Sequence, residues 1–97
     1  MRLQGKVAVV TGGGAGIGRG IALCMAREGA DIAIPDIQDA NALAVVKEVQ
    51  ALGRNAVSMH CDVTRAADVK ASFDRIKKDL GRIDILVNNA GMASAPG

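Results

Sequence analysis

Aromatic side chains are nearly absent from this sequence, which contains one phenylalanine, no tyrosine and no tryptophan in 97 residues. Any core must therefore be aliphatic, built from valine, isoleucine, leucine, alanine and methionine. Apolar residues make up 49% of the chain and charged residues 23%, which is typical of a globular protein rather than a disordered one. A chain of this length is expected to form one small domain with a thin core.

Strong charge of one sign and long apolar runs are also lacking. The net charge is +2 with both signs interspersed, whereas nucleic-acid-binding proteins concentrate basic residues, so we expect no nucleic-acid partner. No apolar stretch approaches the roughly 20 residues of a membrane span, and the first apolar run is too short for a secretory signal. The sequence therefore predicts no membrane partner and a cytoplasmic location.

Cysteine and histidine are scarce. Cys24 and Cys61 lie far apart and outside any C-x-x-C pair, so we predict neither a disulfide nor a metal site. Both cysteines are expected to be small buried hydrophobes. His60 is the only histidine, and we interpret it as a strand residue rather than a catalytic base, because no acid–base group accompanies it.

Short apolar runs alternate with longer segments of helical periodicity. The runs are apolar on both sides and rich in β-branched residues, as buried parallel strands are; they cover residues 6–11, 31–35, 56–61 and 83–87. Strands separated by helices of this length imply right-handed crossovers and a parallel sheet. The sequence therefore predicts an α/β fold. Pro35 is expected to end strand pairing, since proline has no N–H.

The three intervening segments carry apolar stripes at helical spacing. The residues predicted to face the core are Ile17, Ile21, Cys24 and Met25 in the first helix, Leu43, Val46 and Val49 in the second, and Val69, Phe73, Ile76 and Leu80 in the third. Asp39 and Thr64 are predicted to be the N-caps of the second and third helices. Glycines 29, 53 and 81 are predicted to end the helices.

Residues 11–18, TGGGAGIG, place five glycines between the first strand and the first helix. A helix N-terminus presents unpaired N–H groups and a partial positive charge, and glycines let this backbone approach a phosphate. A tight turn alone needs one or two glycines. Five therefore predict a loop that binds phosphate.

The spacing of these glycines distinguishes between kinds of phosphate loop. A P-loop requires Lys-Ser/Thr where this chain has Arg19 and Gly20, so a nucleotide triphosphatase is not favoured. The ordinary G-x-G-x-x-G fingerprint fails at Ile17. The pattern that fits is T-G-x-x-x-G-x-G, formed by Thr11, Gly12, Gly16 and Gly18.

This loop resembles the cofactor loop of the short-chain dehydrogenase/reductase family. Three further family features follow in order: Asp36 after the second strand, CDVT at residues 61–64, and ILVNNAG at residues 85–91. The resemblance implies a Rossmann-type, doubly wound parallel sheet, here a partial βαβαβαβ unit with strand order 3-2-1-4. It also implies that residues 1–97 are the N-terminal part of a single dinucleotide-binding domain, whose catalytic C-terminal half is absent.

The resemblance further implies an NAD(P)-dependent oxidoreductase that transfers a hydride between nicotinamide and a small alcohol or carbonyl substrate. The residues expected to bind the cofactor are Gly12, Gly14, Ala15, Gly16, Ile17, Gly18, Asp36, Ile37, Asp62, Val63, Asn89, Ala90 and Gly91. Asp62 is expected at the adenine amino edge and Val63 against the ring. Thr11 is expected to order the loop and NNAG by side-chain hydrogen bonds, and Asn88 to brace the sheet.

Asp36 favours NAD over NADP. A carboxylate about 20 residues beyond the glycine loop accepts hydrogen bonds from a free ribose 2′-OH and repels a 2′-phosphate. Family members that prefer NADP often carry a basic residue just before the second motif glycine, where this chain has Ala15. We therefore expect NAD as the cofactor, with NADP less favoured.

The family's catalytic acid–base group is a tyrosine in a Tyr-x-x-x-Lys sequence, and this chain contains no tyrosine. We therefore assign no catalytic residue and expect the chain to be inactive alone. The fourth strand would form an unprotected apolar edge, which invites pairing with another copy. We accordingly expect a homo-oligomer or a self-associating chain.

Two other functions remain open at this point. A non-enzymatic dinucleotide-binding or regulatory module would also lack the tyrosine. An S-adenosylmethionine methyltransferase could use Gly12, Gly14 and Gly16 as its loop, with Asp36 on the ribose. That family usually has an acidic residue where this chain has Val10, and it would not explain NNAG.

Overall fold

The computed structural model describes residues 2–90 of the chain. Strands and helices alternate through this part in the order β1 (Val7–Thr11), α1 (Gly16–Arg27), β2 (Asp31–Asp36), α2 (Asp39–Ala51), β3 (Ala56–His60), α3 (Ala66–Leu80) and β4 (Ile85–Asn88). The predicted strands agree with these bounds to within two residues at each end. No helix in the described range is both long and apolar enough to cross a bilayer.

The strands form one parallel sheet in the order β3-β2-β1-β4, which confirms the predicted fold class and strand order. In this register Val7 of β1 pairs with Asp31 of β2, and Ala8 pairs with Ile85 of β4. The chain adds strands in one direction from β1 to β3 and then returns to the other side of β1. The carboxyl ends of β1 and β4 therefore flank a topological switch point, where open α/β sheets bind ligands.

Successive side chains of β1 enter two different cores, because neighbouring residues of a strand point to opposite faces of the sheet. Ala8 and Val10 pack with residues of α1 and α2 on one face. Val7 and Val9 pack with Ile76 of α3 on the other face. The molecule consequently has three layers, with α1 and α2 on one side of the sheet and α3 on the other.

The predicted core face of α1 was only partly correct. The residues buried in this helix are Gly18, Ala22, Leu23 and Ala26. Ile17 is 73% exposed, and Cys24 is exposed rather than buried, whereas Cys61 is buried as predicted. The small residues lie inward because they let the helix backbone approach the sheet, and the bulkier Ile21 and Met25 pack at the edge of the contact.

The stripe predicted for α2 was partly wrong and that for α3 was essentially correct. In α2 the buried residues are Ala42, Val45, Val46 and Val49, whereas Leu43 is 50% exposed. In α3, Ile76 is fully buried, and Phe73 and Leu80 are partly buried against the same core. The long apolar stripe of α3 predicts its inner face better, because that helix covers its side of the sheet alone in the described chain.

The two predicted N-caps do not form in the described part of the chain. Helix α2 begins with Asp39 itself and α3 follows Arg65, and neither start carries a side-chain cap bond. The hydroxyl of Thr64 donates instead to the Asp62 carboxylate, and Asp39 contacts His60. Other partners therefore engage the side chains that the sequence suggested as caps.

Pro35 ends pairing on one side of β2 only. The pairing with β1 stops at Ala33, while that with β3 continues through Pro35 and Asp36. The N–H of Asp31 bonds toward β1. Because N–H groups alternate between the two neighbours of a parallel strand, the missing N–H of Pro35 also falls on the β1 side.

Removing the Ile76 side chain should strongly destabilise the fold. Ile76 is fully buried, and Ile76→Ala leaves a cavity expected to lower the free energy of unfolding by about 2–5 kcal/mol. The half-exposed Leu43→Ala is the matched control and should cost well under half as much. Urea unfolding followed by circular dichroism measures both, and equal losses for the two variants would contradict the described packing of α3.

Candidate functional site

The glycine loop connects the end of β1 to the start of α1 at the carboxyl edge of the sheet. Gly12 and Gly16 adopt φ values of 66° and 57°, a backbone region that residues with a Cβ rarely occupy. The N–H of Gly12 donates to the carbonyl of Pro35 at 2.9 Å. The loop therefore turns across the end of β2 before it enters the helix.

Gly18 is required for a different reason, which is space. A Cβ at this position would collide with the carbonyl oxygen of Gly12 and would lie 2.5 Å from Nδ2 of Asn89. The same Nδ2 donates to the Gly12 carbonyl at 3.2 Å. The first turn of α1, the glycine loop and the segment after β4 therefore meet at a single point.

The first turn of α1 presents its N–H groups without a competing side chain. Within residues 2–90, no side chain caps the helix at Ala15, and its first turn contains no acidic residue. The first N–H groups of a helix have no partner within the helix and carry the positive end of its dipole. This end of α1 can therefore bind an anion such as a phosphate.

Thr11 fixes the segment after β4 against the loop. Its Oγ1 accepts hydrogen bonds from the N–H groups of Asn89 at 3.0 Å and Ala90 at 3.2 Å. The hydroxyl has one proton, which it can donate to Oδ1 of Asn88 at 3.2 Å or to the carbonyl of Val87 at 3.3 Å. The predicted side-chain hydrogen bonds between Thr11 and NNAG are therefore present, and the bond to Asn88 joins the ends of β1 and β4.

Asp36 joins the loop to the start of α2. Its side chain is largely buried, and Oδ2 accepts a hydrogen bond from the N–H of Gly14 at 2.9 Å. Oδ1 accepts one from the N–H of Gln38, also at 2.9 Å. Because each carboxylate oxygen has two lone pairs, both oxygens keep the capacity to accept a further hydrogen bond from a ligand.

These elements enclose a cleft of about 320 Å³ above the switch point. Its described lining consists of Gly12, Ala15, Gly16, Ile17, Asp36, Gln38, Asn41, Asn89 and Ala90. Gly14 and Gly18 are buried behind this surface. The sequence reasoning missed Gln38 and Asn41, although their position just after Asp36, at the start of a helix, was a usable signal.

Three other predicted binding residues, Ile37, Asp62 and Val63, are not part of the described lining of this cleft. Val63 lines a second cavity of about 220 Å³ between α3 and the sheet, which also includes Thr11 and Leu86. Ile37 is 54% exposed and belongs to neither lining. Gly91 falls outside the described residues. The structure thus brings together the loop, Asp36 and the segment at Asn89 and Ala90 in one cleft, and it places Cys61 and Val63 of CDVT in the second cavity.

Asp62 is held in a tight turn at the end of β3. Its Oδ1 accepts hydrogen bonds from the Thr64 hydroxyl at 2.6 Å and from the Thr64 N–H at 3.0 Å. These two hydrogen bonds hold the pKa of the Asp62 carboxyl below its ordinary value. Asp62 is therefore ionised at neutral pH, as a carboxylate acceptor for an amino group should be.

His60 pairs with a carboxylate that the sequence reasoning did not connect with it. It is the last residue of β3, and its Nδ1 lies 2.7 Å from Oδ1 of Asp39. Residues 2–90 contain no group of three or more histidine, cysteine, aspartate or glutamate side chains that could hold a metal ion. The pair is a side-chain contact between β3 and α2 that becomes an ion pair when His60 is protonated.

Comparison with known proteins identifies the family. The model of a family described as short chain dehydrogenase matches residues 6–97. The chain belongs to the short-chain dehydrogenase family. Among curated members, the 7α-hydroxysteroid dehydrogenase of Escherichia coli strain K12 is 46% identical over 91 residues, which cover 94% of this chain and 36% of that protein.

Solved structures of short-chain dehydrogenases share the fold. One is a 7α-hydroxysteroid dehydrogenase complexed with NADH and 7-oxo glycochenodeoxycholic acid; its TM-score is 0.87 at 45% identity, covering 90% of this chain and 34% of that one. Another, from Burkholderia cenocepacia J2315 in complex with NADP, has a TM-score of 0.87 at 46% identity, covering 91% and 36%. This short-chain dehydrogenase chain thus spans about a third of the length of its relatives, and those relatives hold different cofactors.

Two glycines of α1 should respond oppositely to substitution. Gly18→Ala forces a methyl group into the Gly12 carbonyl and should lower the free energy of unfolding by about 1–3 kcal/mol. Gly20→Ala is the matched control, because a Cβ there meets nothing within 4 Å and alanine is the better helix former by about 1 kcal/mol. Urea unfolding of both variants tests this, and a stable Gly18→Ala variant would disprove the close approach.

Proposed function

We propose that residues 1–97 are the N-terminal, cofactor-binding part of a single Rossmann domain in a short-chain oxidoreductase. The observation that carries this proposal is the position of Asp36 and the uncapped N-terminus of α1 on one cleft. The first provides a carboxylate for ribose hydroxyls, and the second provides N–H donors for a pyrophosphate. A dinucleotide contains these two groups side by side.

The pyrophosphate would lie against the start of α1. Gly12, Ala15, Gly16 and Ile17 line this end of the cleft, and a Cβ added to Gly16 would meet nothing within 4 Å. The space beyond Gly16 is therefore open on the side from which a phosphate would approach. Charge attraction to the helix dipole and direct N–H contacts then act together on the same group.

Asp36 would select the adenosine ribose. Its carboxylate can accept hydrogen bonds from both ribose hydroxyls of NAD, and it would repel the 2′-phosphate of NADP. The described lining of the cleft contains no lysine or arginine that could compensate this repulsion. We therefore propose NAD as the preferred cofactor.

The remaining predicted residues would hold the two ends of the cofactor. Asp62 bonds to Thr64 through Oδ1, and its Oδ2 is the proposed acceptor for the adenine amino group. Ile37 and Val63 would pack against the adenine ring. Asn89, with Ala90 and Gly91, would line the cofactor near its ribose; Thr11 holds Asn89 and Ala90 at the end of β1.

The proposed reaction is hydride transfer between the nicotinamide and an alcohol or carbonyl substrate. Bound NAD supplies the hydride acceptor, while this chain binds and orients it through the residues above. A proton must also move at the substrate oxygen, and the sequence contains no tyrosine to perform that step. We therefore propose that these 97 residues bind the cofactor but are catalytically inactive alone.

The same absence of tyrosine favours a second candidate function, a dinucleotide-binding regulatory module without catalysis. The two candidates share the cleft and its ligand. An encoding gene that continues in frame to a Tyr-x-x-x-Lys sequence would support the oxidoreductase, and one that does not would support the module.

We further propose that β4 mediates association with a second copy of the chain. Within the described residues, β4 pairs with β1 alone, so its other edge presents unpaired backbone groups. Leu86 projects from β4 and is 52% exposed beside the apolar cavity that contains Phe73 and Val69. An identical strand can satisfy such an edge and cover such a side chain.

Titration with NAD and NADP tests the role of Asp36. The unmodified chain should bind NAD more tightly than NADP. Asp36→Ala should weaken NAD binding by about 10- to 100-fold, because it removes hydrogen bonds to a charged group. The same variant should narrow the difference in affinity between NAD and NADP. Asp36→Asn removes the charge of the carboxylate but keeps its size and an acceptor for the N–H of Gly14. This variant should mainly relieve the repulsion of the 2′-phosphate of NADP. Asp31→Asn, at the other end of the same strand, is the control. Equal affinities of the unmodified chain for NAD and NADP would contradict the assignment.

Analytical ultracentrifugation tests the proposed association. The unmodified chain should sediment as a dimer or larger species. Leu86→Glu should shift it to monomer by placing a charge on the sheet face that the paired copy would cover. Leu43→Glu introduces the same charge at a side chain of similar exposure on α2 and should leave the association intact. A stable monomer of the unmodified chain at high concentration would refute the proposal.

A further inference from the structure

The His60–Asp39 pair connects the edge strand of the sheet to the first turn of α2. His60 ends β3, which lies at the edge of the sheet, and Asp39 is the first residue of α2. The side chains are 56% and 71% exposed. Solvent protons therefore reach His60 without any opening of the fold.

The first turn of α2 is also a wall of the proposed cofactor cleft. Gln38 and Asn41, on either side of Asp39, line the cleft. Asp36 accepts a hydrogen bond from the N–H of Gln38, and a Cβ added to Gly14 would lie 2.8 Å from the backbone N of Ala42. Any displacement of this turn therefore affects the carboxylate and the glycine loop together.

The charged groups around His60 are mostly acidic. Asp39 faces it from α2, Asp62 from the loop after β3, and Asp68 from α3. Arg75 of α3 lines the same small surface cavity as His60 and pairs with Asp79 on its own helix. With His60 neutral, the carboxylate of Asp39 is left uncompensated close to the cleft.

The Asp36 carboxylate adds to this negative charge. Asp36 pairs with His60 in the register of β2 and β3, and its side chain lines the cleft. A dinucleotide carries negative phosphates, so every uncompensated carboxylate near the cleft opposes its binding. Protonation of His60 gives the Asp39 carboxylate a cationic partner and so compensates one of these negative charges.

We propose that His60 is a positioning residue for the dinucleotide: as an imidazolium it binds Asp39, steadies the first turn of α2 and neutralises a carboxylate beside the cleft. This inference rests on the proposed function, since it requires that the cleft bind a dinucleotide. Affinity is consequently higher when His60 carries a proton than when it is neutral.

The direction of the titration agrees with this geometry. The hydrogen bond that His60 donates to the Asp39 carboxylate, followed by the charge of that carboxylate, raises the pKa of His60 above its ordinary value. The His60–Asp39 ion pair therefore contributes its full stabilisation of the fold below the unfolded-state pKa of His60. This stabilisation is lost as the pH rises through the folded-state pKa of His60. By thermodynamic reciprocity, a ligand that prefers the protonated form must raise the pKa of His60 further when it binds.

The test combines NAD titration with proton NMR of the single histidine. Isothermal titration calorimetry of the whole chain should show NAD binding about 2- to 5-fold tighter below the His60 pKa than above it, a range typical of exposed ion pairs. Saturating NAD should raise the NMR-measured pKa of His60 by the logarithm of this affinity ratio. NAD is used because the 2′-phosphate of NADP itself titrates near pH 6.

Three variants make the test specific. His60→Gln keeps a polar side chain and should bind NAD with no dependence on pH, and Asp39→Asn should lose the dependence and lower the pKa of His60. Asp74→Asn removes a carboxylate that pairs with Lys70 on α3 and should behave like the unmodified chain. NAD binding that is independent of pH, or a dependence that persists in His60→Gln, overturns this inference alone. No NAD binding at any pH overturns the proposed function with it.

Discussion

The close approach of α1 to the end of β1 is the constraint on which the site depends. Gly18 lies against the carbonyl of Gly12, and Asn89 bonds to that same carbonyl. This contact fixes where the helix begins, and so where its unpaired N–H groups point. It also attaches the segment after β4 to the loop, with Thr11 completing the connection. The first turn of α1 and the segment after β4, which lie far apart in sequence, thereby meet at one backbone oxygen.

Asp36 extends this arrangement to the adjacent strand. Its two oxygens bind the N–H groups of Gly14 and Gln38, so the carboxylate supports the glycine loop and the start of α2 simultaneously. The Asp36 carboxylate that holds the walls of the cleft together is therefore also the group proposed to bind the ribose hydroxyls. Because the side chain is already held by two backbone donors, little conformational entropy remains to be lost when a sugar hydroxyl binds.

The aliphatic composition explains how a small chain builds these layers. With one aromatic side chain available, α1 packs through glycine and alanine and lies close to the sheet, whereas α3 contributes Ile76 and the single Phe73 on the opposite face. The edge at β4 and the exposed Leu86 lie on the side where the chain, a third the length of its relatives, has the fewest described neighbours.

The sequence by itself determined the element order and the parallel sheet, because strand-like apolar runs and helical stripes are local signals. The glycine spacing, with Asp36, CDVT and NNAG, indicated the family, and the resemblance to that family implied the 3-2-1-4 order. It also indicated that Gly12, Gly16 and Gly18 share a function, although the backbone shows different reasons for them. Only the tertiary structure decided which helix faces are buried, since close packing selected Ala22 and Ala26 over the bulkier Ile17. It likewise decided the partners of Asp39 and Thr64, because side-chain hydrogen bonds depend on which strand ends meet in space and not on distance along the chain.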